Sequence, residues 1–146
     1  MRPLGLASAA SLLLASALAG CPRGGPAPAG CDLGSGPCSA EAGAVGIRLE
    51  LSPRPLRPLS EVEAAVALTS AGAPLEGAEV WLRLSMPGMY MGENRTSLEP
   101  LGGGRYRGKA VLLRCASGRR DWVAEVAVRP KGGPEARTRF PFEVSE

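Results

Sequence analysis

The sequence predicts an all-β fold, an immunoglobulin-like antiparallel β-sandwich of about seven strands preceded by a signal peptide and a disordered tether. Three observations predict the sandwich. Apolar and polar residues alternate in short runs, 20 glycines and 14 prolines punctuate the 146 residues, and no segment sustains helical periodicity. A chain of this length holds one domain of ordinary size, and seven short strands suit a sandwich.

Five runs place apolar side chains at every second position, as in strands with one buried face, and two shorter segments joined by three glycines at 102–104 complete the set of seven. In the third run, Trp81, Arg83 and Ser85 are expected to face outward. Pro141 lies within the last run and predicts an edge or bulged strand, because proline cannot donate a ladder hydrogen bond. The predicted strands cover residues 47–51, 62–69, 80–86, 96–101, 106–113, 121–129 and 138–144.

Residues 1–20 have the layout of a secretory signal peptide, with Arg2 before a small and apolar run that is shorter than a membrane span. The run ends in Leu-Ala-Gly-Cys at 18–21, which resembles the lipoprotein box of bacteria. This resemblance implies that Cys21 is lipid-modified after cleavage and anchors an exported protein to a membrane, in the periplasm or at the cell surface. The alternative is an ordinary cleavage site followed by a chance cysteine.

Residues 21–44 are rich in proline, glycine, alanine and serine, and predict a flexible tether that leaves residues 45–146 as the folded domain. Cys31 and Cys38 lie within the tether, seven positions apart. In an oxidising compartment they are expected to form a disulfide or to have no role. A metal-ligand role for this pair is the less favoured alternative.

Composition narrows the range of functions. The net charge is +3, but the 15 arginines and two lysines are spread along the chain, so nucleic-acid binding is not predicted. The sequence contains no histidine, which removes the usual general base and the commonest nitrogen ligand of metals. A non-enzymatic binding or structural module is therefore predicted.

Three methionines lie within six residues, in Met-Pro-Gly-Met-Tyr-Met at 86–91. Pro87 and Gly88 suit the central positions of a type II turn, which brings Met86 close to Met89. An extended exit from the turn would point Met91 to the same side as Met89. Thioethers are soft, neutral donors that select Cu(I), so the loop predicts a Cu(I) site. Equally, the methionines could fill the core and plug one end of the sandwich.

Cys115 precedes Ala-Ser-Gly at 116–118, which predicts a hairpin turn at one pole of the sandwich. If the methionine loop lies at the same pole, the Cys115 thiolate would complete a metal site of three thioethers and one thiolate. The neighbouring arginines would favour the ionised form of Cys115. The alternatives are a buried apolar role and a disulfide with Cys31 or Cys38.

The sequence resembles the YtkA-like family, which includes FixH-like proteins, over roughly residues 62–128. The matching segments are Gly-Ala-Glu-Val at 77–80, Ser-Met-Pro-Gly-Met-Tyr-Met-Gly at 85–92, Gly-Arg-Tyr-Arg-Gly at 104–108 and Trp-Val-Ala-Glu-Val at 122–126. The resemblance implies a sandwich fold and copper handling, often near the assembly of respiratory oxidases. One departure is the absence of the histidines that often accompany methionines in exported copper carriers.

Together these patterns predict a lipid-anchored, exported Cu(I)-binding module that carries or sequesters copper. Its predicted ligands are Met86, Met89, Met91 and Cys115, and its predicted partners are the membrane and a copper-receiving protein. The alternative is a non-catalytic interaction or structural lipoprotein, in which the methionine loop is a hydrophobic plug or a partner contact.

Overall fold

The computed structural model describes residues 29–146, and this part of the chain is folded as β-strands and connecting turns. The predicted signal peptide, Cys21 and the first residues of the predicted tether lie outside it. No helix within the described part is long and apolar enough to cross a membrane. The strands are β1 (Cys38–Ala42), β2 (Val45–Ser52), β3 (Ser60–Ser70), β4 (Ala73–Pro74), β5 (Glu79–Ser85), β6 (Arg95–Gly102), β7 (Arg105–Leu112), β8 (Asp121–Arg129) and β9 (Ala136–Glu143).

The strands form two antiparallel sheets packed as a sandwich. Sheet I has the order β1-β2-β3-β7, with the short β4 paired to β3, and sheet II has the order β5-β8-β9. Strand β6 joins both sheets, since its first half pairs with β5 and its second half pairs with β7. The order β2-β3-β7-β6 opposite β5-β8-β9 is that of an immunoglobulin-like fold. This confirms the fold class predicted from the sequence.

The core lies between the two sheets and is built from the alternating positions of each strand. Along β8 and β9 every second residue is buried, and the largest buried side chains are Trp122, Tyr106 and Phe140. The buried Tyr106 keeps its polar end paired, because its hydroxyl donates to the carbonyl of Leu75 and accepts from the amide of Ala78. Burial of one face per strand is the physical reason for the period of two in the sequence.

All seven predicted strands are present. Pro141 lies on β9, which ends sheet II, so the edge position predicted for it is correct. Two short strands were not predicted: β4, and β1, which lies inside the predicted tether. The tether boundary at residue 44 is therefore wrong, since β1 pairs with β2 and Leu33 is fully buried. Strand β1 forms although it contains few apolar residues, because β2 supplies hydrogen-bonding partners for the backbone of β1.

The predicted hairpin at residues 116–118 is also corrected. A turn is present, with the amide of Gly118 donating to the carbonyl of Cys115 at 3.1 Å. However, the flanking strands β7 and β8 belong to different sheets, so the turn is part of a crossover between the sheets. The period of two defines each strand but does not specify its partner.

Cys31 and Cys38 form a disulfide, with their α-carbons 5.8 Å apart. It closes a small loop at the start of β1. The loop is attached to the domain by the buried Leu33, whose carbonyl accepts a hydrogen bond from Nε of Arg54 at 3.4 Å. The disulfide predicted from the sequence is thus present, and it belongs to the folded domain.

Replacing Cys31 and Cys38 together by alanine is expected to lower the free energy of unfolding by about 2.5 kcal/mol, because the crosslink restricts a short loop in the unfolded chain. Urea unfolding of the parent and the double variant measures the difference. A reductant should destabilise the parent and leave the variant unchanged. Equal stability of the two proteins under oxidising conditions would contradict a stabilising role of the disulfide.

Candidate metal site at the methionine turn

The chain turns sharply after β5, at residues 86–89. The amide of Met89 donates to the carbonyl of Met86 at 3.1 Å, and the two residues form an isolated β-bridge. Gly88 has φ of +70°, the conformation that a type II turn requires at its second central position. The predicted turn is therefore present. It fixes the backbones of two of the predicted ligands side by side.

The three methionines differ in burial. Met86 continues the inward face of β5 and is only 2% exposed, so it is part of the core. Met89 and Met91 are partly buried and pack against the core, whereas Tyr90 between them is 80% exposed. This alternation agrees with the predicted extended exit from the turn, which places Met89 and Met91 on the same side.

Cys115 lies at the same pole of the sandwich as the methionine turn. Its Sγ is 3.4 Å from Sδ of Met89, and its side chain is only 7% exposed. Among the described cysteines this thiol is the free one, since Cys31 and Cys38 are bonded to each other. Of the alternatives open from the sequence, a disulfide between Cys115 and either of these cysteines is therefore excluded. The structure brings together a thiol and a thioether that are 26 residues apart in the chain.

Hydrogen bonds around the Cys115 sulfur favour its ionised form. The Ser117 hydroxyl lies 2.9 Å from Sγ, and this hydrogen bond is the main cause of a lowered pKa of the thiol. Backbone amides of Ser117 and Arg119 and the positive charge of Arg119 lower the pKa further, while partial desolvation opposes them. The ionised form of Cys115 is a stronger metal ligand than its protonated form.

Arg119 connects the Cys115 loop to the methionine turn. Its Nη1 donates to the carbonyl of Pro87 at 3.0 Å, while its Nε donates to Oδ1 of Asp121 at 2.9 Å. A second bond from Nη2 to Asp121 makes the ion pair bidentate, which fixes the orientation of the guanidinium. Arg119 therefore positions the turn relative to the thiol. From the sequence, this arginine is one of the neighbours expected to favour the ionised thiol. Its contact with Pro87 was not predicted, because no local pattern signals it.

The sulfur pair fits a soft metal ion without a large rearrangement. Two sulfurs bound at ~2.3 Å to one ion in tetrahedral geometry lie ~3.8 Å apart, about 0.4 Å more than the separation of Met89 Sδ and Cys115 Sγ. Small side-chain rotations cover this difference. Within residues 29–146, no group of three or more His, Cys, Asp and Glu side chains could hold a metal ion. The candidate donors at this pole are the Cys115 thiol and the methionine thioethers, of which Met89 is in contact with the thiol.

The structure predicts a specific pH dependence for Cys115. Its alkylation rate should reach half of its maximum at a lower pH than that of an unperturbed cysteine, because the thiolate is the nucleophile and its pKa is lowered. In Ser117→Ala, the loss of the main hydrogen bond should raise the pKa and move this midpoint to higher pH. Stopped-flow alkylation across pH measures the shift, with Ser39→Ala on the exposed face of β1 as the control. Coincident profiles for the parent and Ser117→Ala would contradict the role given to Ser117.

The fold and the site define a class: an immunoglobulin-like sandwich module with a thiol–thioether pair at one pole. No protein-family model matches the chain, and no curated protein sequence matches it. Among solved structures it is similar to a DUF4785 family protein from Legionella pneumophila, with 18% sequence identity and a TM-score of 0.44. That match covers 70% of this chain and 28% of the other, so the chain spans less than a third of that protein. The YtkA-like resemblance remains a prediction.

Proposed function

We propose that this chain is a lipid-anchored, exported module that binds Cu(I) through Met86, Met89, Met91 and Cys115 in order to carry or sequester copper. The observation that carries the proposal is the 3.4 Å contact between Sδ of Met89 and Sγ of Cys115 at a turn that also holds Met86. Thioethers together with a thiolate form a soft donor set, which prefers Cu(I) to the hard ions Ca²⁺ and Mg²⁺.

The local electrostatics support this ligand set. Cys115 has a lowered pKa, so less free energy is needed to remove its proton before a metal binds. The thioethers carry no proton and remain neutral. The single positive charge of Cu(I) is therefore balanced by the single negative charge of the thiolate, and the complex has no net charge. A neutral complex suits a site whose sulfurs are mostly shielded from water.

The rest of the proposal comes from the sequence. Lipid modification of Cys21 would anchor the chain to a membrane, and the YtkA-like resemblance links the module to copper handling and to the assembly of respiratory oxidases. A copper-receiving protein is the partner that a carrier needs. Catalysis is not proposed, because the sequence lacks histidine and a Cys-x-x-Cys motif.

Anaerobic titration of the mature chain with Cu(I) against a competing chelator tests the proposal. One ion should bind per chain, and X-ray absorption should show sulfur as the only type of ligand. Replacing Cys115 by serine should weaken binding, because a hydroxyl is a poor ligand for a soft ion. Failure of the parent protein to compete with the chelator would make the proposal wrong.

The second candidate is a non-catalytic interaction or structural lipoprotein. The burial of Met86 and the 80% exposure of Tyr90 favour it, since a core methionine followed by an exposed aromatic is also what a plug with a partner contact requires. On this hypothesis the methionines affect stability or partner binding, and the chain has no preference for Cu(I) over Zn²⁺. Titration with both ions separates the two candidates.

A further inference from the structure

The two ends of the sandwich differ in what they carry. We define the methionine pole by the segments that meet there: the disulfide loop 31–38 and the connections 53–59, 86–94 and 113–120. The strand register places these segments at one end, because Ser60 pairs with Leu112, and Ser85 pairs with Val123. The opposite pole carries the turns at 43–44, 102–104 and 130–135.

A series of contacts through the end of β9 and the loop before β8 links the disulfide loop to the methionine turn across this pole. A β-carbon at Gly34 would lie 3.5 Å from the carbonyl oxygen of Glu143, so the loop sits against the end of β9. The next residue, Val144, donates its amide to the carbonyl of Arg120 at 3.0 Å. The adjacent Arg119 bonds to Pro87 in the methionine turn. The described chain therefore enters the domain at the pole that holds the candidate metal site.

The methionine pole also exposes apolar side chains. Among the described residues, five large hydrophobic side chains are exposed, and four of them belong to this end of the sandwich. Leu59 is 67% exposed, and its amide bonds to the carbonyl of Leu112 at the end of β7. Tyr90 lies in the methionine loop, while Val111 and Leu113 flank Leu112. The fifth, Leu101, lies near the opposite pole.

The length of chain before the disulfide loop limits how the domain can sit on a membrane. From Cys21 to Cys31 there are ten residue steps, 31 − 21, which span at most ~35 Å when fully extended. At ~3.3 Å per residue, the 11 residues of β3 make the sandwich about as long as this reach. To bring the opposite pole to the bilayer, this segment would have to run fully extended along the whole domain. No such stretching is needed for the methionine pole.

We propose that the methionine pole faces the membrane and contacts the lipid surface through Leu59, Tyr90, Val111 and Leu113. The occupant of this apolar surface is the bilayer, because the chain reaches the domain at this pole and because tyrosine and leucine side chains partition into the membrane interface. This inference rests on the lipid anchor in the proposed function. It places the candidate copper site next to the bilayer, so that the exchange partner is a protein embedded in the same membrane.

Quenching of an attached fluorophore by brominated lipids tests which pole of the full lipidated chain faces the membrane. A fluorophore is attached to Tyr90→Cys at the methionine pole or to Lys131→Cys at the opposite pole, each in a Cys115→Ser background so that one thiol reacts. The proteins are inserted, without copper, into vesicles of phosphatidylethanolamine and phosphatidylglycerol with brominated acyl chains. Quenching should be several-fold stronger at position 90 than at position 131. Equal quenching, or stronger quenching at 131, would overturn the inference.

A second variant distinguishes contact with lipid from mere proximity. Leu59→Ser with Leu113→Ser, added to the Tyr90→Cys protein, should reduce quenching at position 90, because both substitutions remove apolar side chains from the interface. Unchanged quenching would refute the lipid contact and point to a protein surface instead. Mass spectrometry of Cys21 is the control for the anchor. A chain without lipid on Cys21 refutes the orientation, while Cu(I) titration in solution judges the metal site independently.

Discussion

Replacing Met86, Met89 and Met91 together by isoleucine is expected to weaken Cu(I) binding by more than ~100-fold, since loss of residues that only support metal ligands already costs 10–100-fold. The fold should survive, because exchanges between apolar side chains of similar volume usually cost less than ~1.5 kcal/mol each. Anaerobic chelator competition measures the affinity, and urea unfolding measures the stability of the same variant.

The matched control for this experiment is Tyr90→Ile, which changes the same loop without removing sulfur. Its Cu(I) affinity should equal that of the parent in solution, because Tyr90 is 80% exposed and supplies no soft donor. If the triple variant retained the parent affinity, the methionines would not be ligands. A large loss of stability in that case would favour the plug hypothesis.

Gly104→Ala is expected to destabilise the domain by more than ~3 kcal/mol, because left-handed backbone costs ~1–2 kcal/mol for a residue with a β-carbon and a backbone clash adds to it. Gly104 is buried with φ of +72°. An added β-carbon would lie 2.6 Å from the carbonyl oxygen of Leu68 and 3.0 Å from the amide nitrogen of Leu75. The amide of Leu75 donates a hydrogen bond to the carbonyl of Leu68, which joins β3 to the segment after β4. Neither atom can therefore move freely to relieve the clash.

Gly103→Ala separates the clash from the backbone strain. Gly103 has a similar φ of +64°, but the nearest atom to an added β-carbon is Nε of Arg105 at 3.9 Å. Gly103→Ala should therefore lower the free energy of unfolding only by the ~1–2 kcal/mol that the left-handed conformation costs. Thermal and urea unfolding of the two variants measure the difference. Equal destabilisation would show that the backbone around Leu68 relaxes to accept the methyl group.

The candidate site was only partly predictable from the sequence. The type II turn could be predicted because Pro-Gly is a local signal, since each residue imposes its own φ. The proximity of Cys115 to Met89 was a conditional expectation, because it depends on which pole the crossover from β7 to β8 reaches. The roles of Ser117 and Arg119 were not foreseen, since their partners depend on how two loops from different sheets pack together.

The beginning of the domain was predicted incorrectly for a related reason. Residues 38–42 alternate weakly and contain little apolar surface, so the sequence alone indicated a tether. The register of β1 on β2, from Cys38 opposite Leu49 to Ala42 opposite Val45, supplies the missing hydrogen bonds. An edge strand of this kind is stabilised by its neighbour and by the disulfide, and neither is visible in local periodicity.

By itself, the sequence determined the all-β class, the seven main strands, the face that five of them bury and the bend at Pro87 and Gly88, because these depend on side-chain periodicity and local dihedral preferences. Tertiary structure alone decided the pairing of strands into two sheets, the place of the disulfide loop in the domain and the meeting of the Met89 and Cys115 sulfurs. These features join residues far apart in the chain, and their geometry follows from sheet register and loop packing, which local patterns do not encode.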